Sequence, residues 1–192
     1  MSHTTYAVKT AFPAIWILIA VVGAYVRTRH SPSREAALET WQRWWAVAAL
    51  GCGSLYICIS FLVGQQSMAD AIGFTRSPFQ FEIAFANLAL VVMALRVARP
   101  GTTPRERITV GLGAGVFLWG AAFGHVYQWF ANHDHQPGNT GGVLAADVLF
   151  PAVMIVLAWR AQRLGVGGAG ARAEAGAGQV AEFGGTRHAA SS

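Results

Sequence analysis

Apolar residues along this chain fall into five long runs, Ala11 to Val26, Ala46 to Gly64, Ser77 to Val97, Ile108 to Ala131 and Val143 to Trp159, parted by short polar segments. Roughly 20 apolar residues in helical form cross the hydrocarbon core of a bilayer. The pattern therefore predicts an all-α fold, a transmembrane helical bundle of five spans. Polar and turn residues set its joints. Pro32 and Ser33 open a short helix, Ser33 to Trp45, whose alternating charges and Trp41, Trp44 and Trp45 suit the inner headgroup layer ahead of span two. Ser77 and Pro78 start span three, and Pro100-Gly101 follow its end. Pro151 lies inside span five, where its missing N–H leaves the Asp147 carbonyl without its usual helical donor. The organisation expected is an outer N-terminal tail (1–10), a five-span bundle (11–164) and a disordered cytoplasmic Gly/Ala-rich tail (165–192).

Charge orients the bundle. Arg27, Arg29, Arg34 and Arg43 follow span one, Arg96, Arg99, Arg105 and Arg107 follow span three, and Arg160, Arg163 and Arg172 follow span five. The two intervening loops carry only Arg76, and the N-terminal segment only Lys9. Cytoplasmic loops hold the excess of Lys and Arg, so the expected topology is N-outside, C-inside. Because the arginines follow span one instead of preceding it, that span reads as a retained anchor and not as a cleaved signal peptide.

Composition sharpens the class. The chain is 54% hydrophobic and 12% charged, against about 25% charged in soluble domains. Its formal charge of +5 sits beside membrane ends, where arginines meet anionic lipid headgroups. The partner expected is thus the lipid bilayer, with no nucleic acid. Arg far outweighs Lys, and Ala and Gly abound, as in high-GC genomes; the expected location is a bacterial cytoplasmic membrane. Cys52 and Cys58 lie six residues apart along one helix, about 9 Å at 1.5 Å per residue, too far to bridge.

Candidate chemistry gathers at one depth. Glu82, His125 and Asp147 come from three different spans, yet each lies about 6 to 9 Å inside its helix end on the arginine-poor side. Ionisable groups within spans face a bundle interior or a wet cavity. Gln128 and Asn132 share a helical face with His125, while Gln80 and Asn87 share a face of span three from which Glu82 points away. The outer loops add Gln65, Gln66, Asp70, His133, Asp134, His135 and Asn139. Glu82, His125 and Asp147 are donor types that Zn²⁺ or iron accepts, so a divalent metal is one candidate cofactor. They would serve equally as an acid/base set or a proton relay. His133-Asp134-His135 reads as a solvated loop. Residues 138–142 (GNTGG) read as a flexible turn without the strand and helix of a phosphate loop. Gly111, Gly115, Gly120 and Gly124 repeat the small-x-x-x-small spacing that brings membrane helices close, and predict a central position for span four.

These same residues carry a resemblance. Residues 77–90 (SPFQFEIAFANLAL), 124–128 (GHVYQ) and 137–142 (PGNTGG), with Asp147 and Pro151, resemble a family of small bacterial multi-pass membrane proteins of unknown function. The likeness runs from Ser77 to Leu157. It implies an α-helical membrane protein marked by Gln80, Glu82, Asn87, His125, Asn139, Asp147 and Pro151, and it implies no activity.

Three readings stay open at this point. One is a membrane protein whose outward-facing polar cavity binds a metal or small ligand. Another is an accessory subunit of a membrane complex whose polar layer is helix-packing glue. The third is an intramembrane enzyme using Glu82, His125 and Asp147 as acid/base groups. An odd number of spans excludes equal halves within one chain, so transport would call for a homo-oligomer or a membrane-complex partner.

Overall fold

In the computed structural model the backbone is described for residues 2–188 and the side chains for residues 2–165. From residue 166 onward, the expected disordered tail, 165–192, falls outside the residues with described side chains. Helices make up the fold, with no strand among the described residues. Helix α1 is His3–Thr28, α2 Arg34–Val63, α3 Gln65–Ile72, α4 Phe79–Val97, α5 Pro104–Ala131 and α6 Gly142–His188. Five helical segments are long and apolar enough to cross a membrane, and the protein is a multi-pass membrane protein. Leu18, Val63, Val116, Phe123 and Phe130 stand exposed on their outer faces, as surfaces against lipid require.

Local chemistry explains the helix ends, and it moves some of them from where the sequence pattern puts them. Ser2 accepts a hydrogen bond from the Thr5 amide, so helix begins at His3 and residues 3–10 extend α1. Pro13 tightens Phe12–Ala14 into a 3-10 turn within it. Ser33 caps α2 through the Ala36 amide. The short helix expected before span two runs into that span without a break: α-helix over Arg34–Trp44 passes through a π-helical stretch, Trp45–Cys52, into Gly53–Val63. Thr103 and Glu106 form a reciprocal capping box at the start of α5. A helix that the apolar pattern misses, α3, lies in the loop after α2 and ends on Gly73 in the left-handed conformation (φ 74°).

The centre of the bundle is α2, not α5. Half of the apolar window of α2 is buried, against a third or less in the other spans. Its π-helical stretch supplies Trp45, Ala46, Ala48, Ala49 and Leu50 to a core completed by Leu90, Ala94, Val97, Ala114, Leu118, Phe150 and Met154. Small side chains there let α4 and α6 approach. Of the four α5 glycines picked out by their spacing, Gly111 lies at a close helix approach: a Cβ on it would lie 2.7 Å from Ile155 Cγ1 of α6. Gly115 lies beneath the Trp119 ring of its own helix, whereas Gly120 and Gly124 meet nothing within 4 Å.

Two groups expected at the headgroup layer are drawn inside. Trp45 is 3% exposed, and its indole N–H donates to the Phe150 carbonyl at 2.9 Å. Trp44 packs over Gly23 of α1. Replacing Trp45 by Phe should lower stability by about 2 kcal/mol, one buried hydrogen bond plus lost ring volume, read from thermal unfolding in detergent. Arg107 is 2% exposed. Its guanidinium grips the Glu39 carboxylate through both terminal nitrogens, at 2.5 and 2.7 Å, and donates from Nε to the Val97 carbonyl. Arg43 reaches the Ala98 carbonyl, and Arg96 pairs with Glu106. Arg43 and Arg107 therefore tie the α4–α5 turn to α2, Arg96 braces the turn itself, and these arginines are not left to lipid headgroups.

Candidate functional site

At the arginine-poor end, α5 carries His125 one turn and a half from its C-terminus, and α6 carries Asp147 a little more than one turn from its start. An extensive helix–helix contact, α5 against α6, brings them face to face. His125 Nε2 lies 3.6 Å from Asp147 Oδ2, and both side chains are largely covered. On the other side of the ring, His125 Nδ1 is 2.9 Å from Asn139 Oδ1. Asn139, buried on the short 3-10 turn Pro137–Asn139, donates through Nδ2 to the Ile72 carbonyl at the end of α3. The segment read as a flexible turn is thus held down. Asp134 sits over Gly73 and accepts from the Gln136 amide, and Tyr6 of α1 donates to the His135 carbonyl.

The other expected members divide. Gln80 and Asn87 lie on the buried face of α4. Gln80 donates through Nε2 to the Gln65 carbonyl at 2.7 Å, and Asn87 to the Ile83 carbonyl of its own helix. Asn132 donates to Gln128 at the exposed end of α5. Glu82 is exposed and takes no part: the buried positions of α4 are Gln80, Ala84, Asn87, Leu90, Ala94 and Val97, and Glu82 sits off that stripe. The metal trio therefore does not assemble. Among the described residues no three His, Cys, Asp or Glu side chains come together as a metal site.

What His125, Asp147, Asn139, Gln80, Asn87 and Gln128 share is a hollow of about 1060 Å³. Its walls come from all six helices, including Phe12 of α1, Tyr56 and Phe61 of α2, Met68 of α3, Ile83 of α4 and Phe117 of α5. Most of that surface is apolar, so the polar layer is one patch on an apolar wall instead of a polar cavity. Two buried side-chain atoms of the lining lack any hydrogen-bond partner, Asp147 Oδ2 and Gln80 Oε1. The aromatic and Met lining, and the contribution of α3, were not signalled by sequence position. Tyr56 and Phe61 read as ordinary apolar residues of span two.

The model of one protein family, a family of unknown function (DUF6790), matches residues 10–166. The chain belongs to DUF6790. This match takes in all five spans of the DUF6790 chain, spans one and two included, and so reaches beyond the Ser77–Leu157 likeness. No curated protein and no solved structure matches it.

Proposed function

We propose that this protein is a ligand-binding membrane protein whose hollow takes up an apolar small molecule, with the polar end of that molecule at His125, Asp147 and Asn139. One observation carries the reading. Asp147 lines the hollow, and its Oδ2 is buried with no hydrogen-bond partner in the protein. A buried polar atom left unpaired costs on the order of 1–3 kcal/mol, and more for a charged group. Binding sites are where such a cost is tolerated, because the ligand removes it. The volume is at the upper end of small-molecule pockets, and an apolar wall with a few convergent polar groups is their usual make-up. The arginine excess at the opposite end supports a hollow opening on the outer face, in an N-outside, C-inside chain of a bacterial cytoplasmic membrane.

A second reading is favoured by a specific pair of contacts. Gln80 to the Gln65 carbonyl and Asn139 to the Ile72 carbonyl staple α3 to the bundle, which is the work of packing glue in an accessory subunit. Substituting a glue residue lowers stability, whereas filling space does not. Gly124 separates the two readings, since it lines the hollow and a Cβ there meets nothing within 4 Å. Gly124→Leu should fill the hollow from α5 and raise stability by up to about 1 kcal/mol through helix propensity. Lipid-soluble molecules extracted from the purified wild type and from this variant are compared by mass spectrometry. We expect one that is present with the wild type and missing from the variant at unchanged or higher Tm. Identical extracts would leave the glue reading in place.

A further inference from the structure

The hydrogen-bond polarity of the hollow follows from which atoms the main chain has already engaged. A backbone carbonyl only accepts. The Ile72 carbonyl therefore fixes the Asn139 amide with Nδ2 towards it, which turns Oδ1 to His125. Oδ1 also only accepts, so His125 Nδ1 must carry the proton and donate. In the neutral imidazole Nε2 is then a bare acceptor. It faces Asp147 Oδ2 at 3.6 Å, beyond a hydrogen bond of normal length, and that oxygen is a second acceptor when the carboxyl is ionised. The Gln65 carbonyl fixes Gln80 in the same way, with Nε2 engaged and Oε1 buried and unpartnered in the same hollow. Lys9 lines the rim, is exposed, and forms no salt bridge with Asp147 among the described residues.

Two acceptors held side by side, one of them a carboxylate, repel each other unless a donor stands between them. An ammonium group has three N–H donors, no acceptor, and the charge that a carboxylate lacks a partner for. A hydroxyl has one donor, and an ether has none. We infer that the molecule held in the hollow is an amphipathic primary amine, bound as its ammonium ion, with N–H groups on His125 Nε2 and Asp147 Oδ2 and an alkyl or aryl body along the apolar wall. This rests on the reading of the hollow as a ligand site and names the class of ligand.

Three probes of one chain length test it: octylamine, octan-1-ol and methyl octyl ether. Each is titrated into the full-length protein in nanodiscs, with Gly124→Leu as the baseline for partition into lipid. Above that baseline, octylamine should bind at least about tenfold more tightly than the ether, the worth of hydrogen bonds to a charged group, with the alcohol between them. Asp147→Asn should lose this preference, because its amide can itself donate to His125 Nε2 and close the pair from within. Equal binding of the amine and the ether to the wild type overturns the amine assignment and leaves the hollow as a site, as would follow if the pair held its own proton, on His125 or on Asp147. If no probe distinguishes the wild type from Gly124→Leu, both readings fail.

Discussion

Glu39→Ala should destabilise the protein by about 3 kcal/mol, the low end of the penalty for stripping the partner from a buried charge. Arg107 is almost wholly buried, whereas the Glu39 side chain is 40% exposed, so water at Glu39 moderates the loss. The guanidinium makes its bonds with Glu39 and with the Val97 carbonyl, and no other acid pairs with it among the described residues. A cation in the first turn of α5 also stands against the positive end of the helix dipole, so only the carboxylate makes the position tolerable. Exchanging both residues for apolar ones, Glu39→Leu with Arg107→Met, should recover much of the loss, because neither charge is then buried. Glu106→Ala at the exposed pair with Arg96 breaks the capping box and should cost much less than Glu39→Ala. Unfolding in mixed micelles reads all three, and a loss under 1 kcal/mol in Glu39→Ala would show that Arg107 is not held as described.

Gly142→Ala should be comparably damaging, with a loss of about 3 kcal/mol, the upper part of the range for overpacking. A Cβ there would lie 2.8 Å from the Ala14 amide nitrogen, 2.8 Å from the Thr10 carbonyl oxygen and 3.0 Å from the Ala11 carbonyl oxygen. All three are main-chain atoms of α1, so no rotamer change relieves the contact and the helices must part. The first turn of α6 would move with them, and Asp147 lies a little over one turn further on. Gly120→Ala provides the contrast, since nothing lies within 4 Å of its Cβ position, and should gain up to about 1 kcal/mol. Paired thermal melts, with crosslinking between α1 and α6, separate the outcomes. A Gly142→Ala protein as stable as the wild type would mean that α1 does not pack on α6 in this way.

These two sites mark where sequence reading stops. Gly120 and Gly142 are equally glycines near apolar runs, yet one is open and the other is pressed against backbone; the difference lies in a helix more than a hundred residues away. Arg107 belongs to a charge cluster that orients the chain, and nothing in its spacing tells it apart from Arg105, which faces out. Trp45 likewise shares a tryptophan cluster with Trp41, but the turn of α2 directs it into the core. Helix α3 is short and polar, below the length at which periodicity speaks, and it is held by the carbonyl contacts of Gln80 and Asn139. The buried stripe of α4 was readable: Gln80 and Asn87, seven residues apart, point inward together, and the same spacing sets Glu82 aside.

From the sequence by itself come the helical class, the five apolar spans, the unequal distribution of arginine between the ends, and the depth shared by His125 and Asp147. Each of these is a one-dimensional quantity. A bilayer admits only backbones that satisfy their own hydrogen bonds, so apolar length dictates helix and residue count dictates depth. Rotation about each helix axis and the identity of the neighbour are set by packing between residues far apart in the chain. Only the tertiary structure therefore decided that His125 meets Asp147 and Asn139, that Glu82 is left out, and that main-chain carbonyls engage the amides of Gln80 and Asn139 beside one largely apolar hollow.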